Sequence, residues 1–509
     1  MPKLVIIGLD GVSPWLIKEL LAQEKIPTIK KVIDHGLFAT LKSVTPPVSI
    51  PAWLSLVSGK NPGELGCFTL FSKKGYDKTI RPVHNFVPFW EGLDVKCGIM
   101  NIPGTYPVKP LNGFMMSGLF TPTGASDFLY PAELKKEIEL ELKDFAFSVS
   151  WNNDDDFLRR IFHLSELRFS IATKLYLKQK PDLFMLVETN TDSLLHNMIK
   201  YIDHSSPLYS SNKYEEKIYD YFAYLDSLIG SFLKVVGEDV EVMIVSDHGF
   251  TSLHGTFALN KWLEDQGFLA VHGRSKGPQK VLSFFGINKT SVEKILSTLH
   301  LKKLVYSRFR GSGLGDLIPD ANGISWYTAI RQGMIDFKKT KAFSAIDQGF
   351  IYINDDSEEQ GSVTKEEYHH VREEVIESLR KIKIPGGELV IRKKEELFHG
   401  PFIEDAPDLV VFDRSFHHWP ITAVRCPQLF NKVTEGKIKS GDHHSDGILI
   451  SSQKSLGKEE YSLMDIHEII LRFFEEKNQT EKQVEKSDFD EKKGEQEVIQ
   501  RLEDLGYLG

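Results

Sequence analysis

Leu4-Val5-Ile6-Ile7-Gly8-Leu9, followed by Asp10-Gly11, is the stretch on which the reading of the fold turns. Its apolar run has no polar alternation, which is the pattern of a strand buried on both faces of a parallel sheet. Asp10 and Gly11 end it. Ser13-Pro14 then caps a helix through about Leu21, and a second helix starts after Pro27 and stops at Gly36. Residues 95–101, 114–120, 182–187 and 240–245 predict further strands, and the apolar spacing over 156–178 and 213–236 predicts long helices. Strand, loop and helix alternate as in a doubly wound sheet. Three of the strands end at Asp10, at residues 188–192 and at Asp247. Ligands of open α/β sheets bind outside the carboxyl ends of the strands, so this reading gathers three carboxylates at one rim.

The chain has 509 residues, room for one large α/β domain with a sizeable insertion or for two to three ordinary domains. Its 62 Lys and Arg against 71 Asp and Glu leave a formal charge of −9, which argues against a nucleic-acid duplex as partner. Cys67, Cys97 and Cys426 have no paired or CxxC spacing, so any metal must use Asp, His and hydroxyl ligands. The chain enters a strand at once, and no apolar run approaches the roughly 18 residues of a membrane span. The expectation is a cytoplasmic protein.

Residues 1–270 are read as the N-terminal part of a catalytic α/β core and 271–340 as an inserted cap or lid. Residues 341–470 continue the core with a small α+β addition, and 471–509 form a charged C-terminal tail. Residues 271–310 hold nine Lys or Arg and one acid, Glu293, which fits either a cap over an anionic site or a solvated helical excursion. Strand-like stretches at 342–354 and 388–391 flank a helix over 365–381, and 408–412 and 447–450 read as buried strands. Residues 475–497 are dense in mixed charge and read as a loose or singly helical tail.

Ser49-Ile50-Pro51-Ala52-Trp53 begins an apolar run that closes at Gly59, the pattern of a short helix with Ser49 at its mouth. The first N–H groups of a helix lack internal partners and bind anions, so Ser49 either faces a bound anion or merely caps the helix. The other candidates are Asp10, Asp192 with His196, Asp247 with His248, and His443. Asp192 and His196 are four apart and would share one helix face. Each has an ordinary structural reading on its own, because an Asp can cap a turn and a His can satisfy a carbonyl. Together they supply oxygen and nitrogen donors for two divalent ions, which prefer three or four such ligands and, about 4 Å apart, clamp both oxygens of an in-line displacement. Such an ion would also activate the Ser49 hydroxyl.

Gly8-Leu9-Asp10-Gly11, the segment from Ser49-Ile50-Pro51-Ala52-Trp53 to Ser58-Gly59-Lys60-Asn61-Pro62, Asp192 to His196, Ser246-Asp247-His248-Gly249-Phe250 and Gly441-Asp442-His443 occur in an order that resembles the alkaline phosphatase superfamily. The match is best to its type I phosphodiesterase / nucleotide pyrophosphatase family. Ala406-Pro407-Asp408-Leu409-Val410 and Arg501-Leu502-Glu503-Asp504-Leu505-Gly506-Tyr507-Leu508 also look like its prokaryotic members. The resemblance spans residues 1 to about 260 and 340 to 509 and leaves the basic insert unmatched.

It implies an alkaline-phosphatase-like three-layer α/β/α sandwich with a mostly parallel central sheet and an inserted cap. It also implies a metal-dependent hydrolase of phosphodiester or nucleotide pyrophosphate bonds that works through a covalent Ser49 intermediate. Asp192, His196 and His443 would hold one divalent ion and Asp10, Asp247, His248 and Ser49 the other, most readily zinc, with manganese as the alternative. His444 is the fallback for His443, Asp442 and Asp446 are turn residues, and Glu188 is a carboxylate that could orient a ligand. The chain departs from the family pattern in three places: serine replaces threonine at 49, Leu65 replaces a histidine before Gly66, and Ala52 stands where nucleotide pyrophosphatases carry a phosphate-binding asparagine. Alternative activities at the same site are therefore phosphomonoester, phosphonate or sulfate ester hydrolysis, or phosphotransfer. A rival of another class is a catalytically degenerate binding protein that recruits a partner through its tail. His369-His370 and His417-His418 are read as surface residues.

Overall fold

The computed structural model describes residues 3–79, 86–272, 323–433, 439–453 and 456–475. Residues 273–310 of the basic insert, the charged tail beyond 475 and the motif from Arg501 to Leu508 lie outside the described residues.

Leu4–Leu9 lies near the middle of a nine-stranded sheet. The strand order is Glu460–Ser462, Leu37–Lys42, Asp446–Ser451, Glu241–Val245, Leu4–Leu9, Leu183–Glu188, Cys97–Ile102, Gly113–Ser117, Leu129–Tyr130. The five strands from Glu241–Val245 to Gly113–Ser117 are parallel. Asp446–Ser451 runs antiparallel to both of its neighbours, so the sheet is mostly rather than wholly parallel.

Alternate residues of Leu4–Leu9 enter two different cores. Val5, Ile7 and Leu9 pack with Leu16, Ile29, Ile161 and Phe222 from helices on one face. Leu4 and Ile6 pack with Trp53, Leu56, Ile466 and Ile470 from the Ser49–Ser58 and Leu463–Glu475 helices on the other. Each of these five strand side chains is at most 2% exposed. At about 2 kcal/mol for each buried aliphatic chain, they contribute roughly 10 kcal/mol, comparable with the whole net stability of a domain. That is why the run carries no polar residue, and the fold is the expected three-layer α/β/α sandwich.

The long helices, Asp154–Gln179 and Tyr214–Val236, lie where the periodicity put them. Ser13 holds the N-cap position of its helix, but its side chain makes no capping bond: its Oγ donates to the Phe250 carbonyl at 3.0 Å and accepts from the Phe250 N–H, tying the first loop to the segment after Asp247. The sequence reading passed over Leu37–Lys42, Leu129–Tyr130, Glu460–Ser462 and the Leu463–Glu475 helix. A second, four-stranded sheet is ordered Ala342–Phe343, Phe350–Ile353, Leu409–Asp413, Leu389–Lys393. It packs against the Lys365–Leu379 helix through Val371, Val375, Ile351 and Val411. Gly249–Ser252 pairs antiparallel with Gly441–His444, with Phe250 opposite His443. This small ladder carries the last candidate ligand back to the rim.

Candidate active site

All seven candidate residues converge at the carboxyl ends of Leu4–Leu9, Leu183–Glu188 and Glu241–Val245. Asp10 follows the first strand directly and is 1% exposed. Its Oδ2 accepts a hydrogen bond from Trp53 Nε1 at 3.1 Å, and its backbone carbonyl accepts one from Thr191 Oγ1 at 2.6 Å. Gly8 makes the first contact possible, because a Cβ there would meet Trp53 Cη2 at 2.5 Å and Val187 Cγ2 at 2.9 Å. Gly11 adopts φ +74, and a Cβ on it would meet the Phe250 ring at 2.8 Å. The glycines beside Asp10 thus let a helix and a loop close over it.

Asp247 and His248 leave the Glu241–Val245 strand fully buried. Asp247 Oδ1 accepts the Gly11 N–H at 3.3 Å, while Oδ2 lies 3.3 Å from His248 Nε2. The His248 Nδ1 lies 3.0 Å from the Gly249 carbonyl and donates to it, which turns the Nε2 lone pair toward the rim. There Nε2 is 3.1 Å from Ser49 Oγ, and Asp10 Oδ1 is 3.5 Å from the same oxygen.

Ser49 is the first residue of the Ser49–Ser58 helix, whose C-terminus is closed by left-handed Gly59. Capping is therefore not its role: Val48 holds the cap position, and the hydroxyl bonds to no backbone N–H of the helix. Asp192 and His196 lie on one face of the Asn190–Met198 helix, as the four-residue spacing required. His196 Nδ1 bonds to the Gly441 carbonyl at 3.0 Å, leaving Nε2 to face His443 Nε2 at 3.1 Å. Asp192 Oδ1 lies 3.4 Å from both of these nitrogens.

His443, rather than His444, enters the site. The antiparallel ladder turns consecutive side chains to opposite faces, and His444 Nδ1 instead accepts the Asp446 N–H at 3.1 Å. The rings of His248 and His443 lie 4.0 Å apart, so the two groups form one continuous constellation.

Two clusters of metal-ligand type result, Asp192 with His196 and His443, and Asp10 with Asp247 and His248, their donor atoms lying within 4.8 Å of one another in each. Asp192 Oδ1 and Asp247 Oδ2 are buried and receive no hydrogen bond among the described residues. Burial, followed by the charge of Asp192, pushes the Asp10 carboxyl well above its usual range, and burial with Asp10 and Asp192 does the same to Asp247. Burial also raises Asp192. The imidazoles move the other way: burial lowers His196 strongly, His248 to about 3 and His443 to about 4. Neutral imidazoles are the ligating form, and crowded buried carboxylates are what a divalent cation relieves, so the donor set fits such ions.

The model for the type I phosphodiesterase / nucleotide pyrophosphatase family matches residues 4–446. The chain belongs to this family. It is a hydrolytic enzyme of the phosphodiesterase/pyrophosphatase type within the alkaline phosphatase superfamily, a group that is metal-dependent in general. The fold is also that of phosphonoacetate hydrolase from Sinorhizobium meliloti 1021. Its complex with phosphonoformate is 14% identical with TM-score 0.51, and its complex with phosphonoacetate 13% with TM-score 0.52; each comparison covers 93% of this chain and 96% of that one. Murine ectonucleotide pyrophosphatase / phosphodiesterase 5 in complex with AMP is 12% identical with TM-score 0.47, over 93% of this chain and 95% of that one. No curated protein matches the sequence directly. No helix among the described residues is long and apolar enough to cross a membrane.

Three sequence-based readings of this family member need correction. Glu188 touches none of the seven residues through its side chain; it pairs with fully buried Arg168 and accepts the Asn190 N–H at 2.8 Å, anchoring the helix that carries Asp192. Asp442 and Asp446 are strand rather than turn residues: Asp442 Oδ1 accepts the His443 N–H, and Asp446 pairs with Lys42 at 2.7 Å. His418 is buried, with Nδ1 bonded to Asp413, and His417 is half-buried and stacks on His254 at 3.9 Å; only His369 and His370 are exposed. Ala52 is 0% exposed and belongs to the core shared by Leu4, Ile6 and Leu56. The sequence reading gave no site role to Arg168 or to Lys439, whose Nζ lies 3.3 Å from His196 Nε2, and put Trp53 in the substrate-pocket wall rather than on Asp10, to which its Nε1 donates. A tryptophan four residues after Ser49 and an arginine in an otherwise apolar helical face were the available signals.

Proposed function

We propose that the chain hydrolyses phosphate esters, phosphodiester or nucleotide pyrophosphate bonds in particular, by a covalent route through Ser49. The observation that carries this reading is the position of Ser49 Oγ, at a helix N-terminus and within 3.5 Å of both His248 Nε2 and Asp10 Oδ1. Asp192, His196 and His443 would hold one divalent ion, and Asp10, Asp247, His248 and Ser49 the other. Bound there, such ions neutralise the carboxylates, lower the pKa of a neighbouring hydroxyl and offset negative charge developing on the phosphoryl group.

The rest falls to the chain's own groups. The N–H groups of Ser49 and Ile50, at the start of the helix, hold a phosphoryl oxygen. Ser49 Oγ loses its proton to water and forms a bond to phosphorus as the bond from phosphorus to the leaving oxygen breaks, and the alcohol departs with a proton. Water then attacks phosphorus, the Oγ–P bond breaks, Ser49 regains its proton, and the phosphate product leaves. Trp53 fixes Asp10 throughout, and the carbonyls of Gly249 and Gly441 fix the ring orientations of His248 and His196.

Protein purified without chelator should contain close to two divalent ions per chain. Ser49→Ala should abolish turnover of an aryl phosphodiester while most of the metal remains. Full activity of metal-free protein, or of Ser49→Ala, refutes this route. Aryl phosphodiester, phosphomonoester, phosphonate and sulfate esters assayed side by side rank the ester classes.

A further inference from the structure

Lys439 reaches the site from outside the seven residues, its Nζ lying 3.3 Å from His196 Nε2. The whole Asp192 cluster feels its charge. Burial and then Lys439 push His196 down, while His248 and Lys439 oppose the rise that burial imposes on Asp192. Lys439 is an exposed residue, yet the backbone beside it is fastened. Ser440, the next residue, donates its N–H at 2.8 Å and its Oγ at 3.2 Å to the His196 carbonyl, and its own carbonyl accepts the Leu253 N–H at 3.0 Å. A four-carbon stem thus leaves a fixed point beside the Asn190–Met198 helix and carries an ammonium to the edge of the Asp192 cluster.

The place of that ammonium relative to Ser49 gives it a role. Ser49 Oγ stands with the other cluster, 3.1 Å from His248 Nε2 and 3.5 Å from Asp10 Oδ1. In an in-line displacement the leaving oxygen lies on the side of phosphorus opposite the attacking one, and two paired cation-binding clusters serve one oxygen each. The leaving oxygen then faces Asp192, His196 and His443, where Lys439 is. An ammonium carries three N–H donors on a stem that rotates, so it can turn one of them to an oxygen at that cluster.

We propose that Lys439 is a catalytic residue that donates a hydrogen bond to the leaving oxygen, and that the chain is thereby suited to esters of unactivated alcohols, whose oxygen departs with full negative charge. As the bond from Oγ to phosphorus forms, the bond from phosphorus to the leaving oxygen breaks and its electron pair goes to that oxygen. Lys439 Nζ holds the oxygen by this hydrogen bond until water supplies a proton, and the ammonium keeps its own. The inference rests on the phosphoester reading of the site.

The test compares kcat/KM of the full-length zinc-loaded protein for two phosphodiesters that differ only in the leaving group, methyl phenyl phosphate and methyl para-nitrophenyl phosphate. A hydrogen bond from a charged donor to a developing oxyanion contributes about 10- to 100-fold. Lys439→Gln should therefore lose about 30-fold on the phenyl ester, and no more than about threefold on the nitrophenyl ester, whose ring already stabilises the departing oxygen. Lys439→Arg, which keeps the charge, should recover most of the loss on the phenyl ester. Zinc content and calorimetric binding of methyl phosphonate, which has no leaving group, should match the wild type in both variants. An equal loss on the two esters, no loss on either, or a loss of zinc that accounts for the lower rate overturns the proposal and leaves the phosphoester reading standing. Absence of turnover of both esters by the wild type overturns both.

Discussion

Trp53→Phe isolates one hydrogen bond at the centre of the site. Asp10 is buried, and Trp53 Nε1 donates to its Oδ2 at 3.1 Å. Burial and the charge of Asp192 both disfavour ionised Asp10, and the Trp53 bond is foremost among the contacts that oppose them. A hydrogen bond to a charged group contributes about 1.5–3 kcal/mol. At about 1.36 kcal/mol per factor of ten, its loss corresponds to roughly 10- to 150-fold in whatever depends on ionised, correctly oriented Asp10. Trp53→Phe should therefore lower kcat/KM for an aryl phosphodiester by one to two orders of magnitude. It should also weaken the apparent affinity for zinc, while Ser49 and the helix are retained.

The smaller ring leaves a cavity over Gly8, so a melting measurement should show a separate loss of about 1–3 kcal/mol. Gly8→Ala approaches the same bond from the other side. Its Cβ would stand 2.5 Å from Trp53 Cη2, which displaces the indole without removing its N–H. The expected overpacking cost is about 1–3 kcal/mol, and kcat/KM should fall in the same direction. Both variants folded, zinc-saturated and within twofold of wild type in kcat/KM would refute the reasoning.

Arg168 and Glu188 form a fully buried ion pair behind the Asp192 helix. Arg168→Met should cost about 3–5 kcal/mol in urea unfolding because it leaves Glu188 buried without its counter-charge, and adding Glu188→Leu should recover part of that loss. Asp413 is subject to burial, which raises its pKa, and to hydrogen bonds from His418 and Ser415, which outweigh burial and hold the carboxyl below its usual range. A depressed folded pKa adds stability that is present above the unfolded value of about 4 and is lost as pH falls through the folded value. Asp413→Asn should therefore be less stable than wild type at neutral pH, with the difference in denaturation midpoint shrinking as pH is lowered below about 4.

The central strands were legible because burial on both faces leaves a local mark: Leu4–Leu9 and Leu183–Glu188 are apolar at nearly every position, whichever neighbours they pair with. The strands that escaped, Leu37–Lys42, Leu129–Tyr130 and Glu460–Ser462, are short or lie at and near the sheet edges. Their pairing is decided by partners up to about four hundred residues away, as Leu37–Lys42 with Asp446–Ser451 shows. The same distinction holds at the site. Asp192 and His196 could be put on one face from spacing alone, whereas the placing of His443 beside them depends on a ladder with Gly249–Ser252 that no local pattern announces. Arg168 was invisible for a related reason, since a charge in a helix reads as a solvated face until its buried partner is known.

Ala52 shows where that limit bears on function. On a helix, residues 49 and 52 lie near one another, and a family comparison makes position 52 look like part of the phosphate site. Here the helix starts at residue 49 and descends at once into the core, so one turn in, the side chain lies among Trp53, Leu56 and the Leu4–Leu9 strand, with no exposure at all. A small apolar side chain at that position fits this packing. Among the described residues, Phe412, Phe416 and Trp419 line a pocket that adjoins His443.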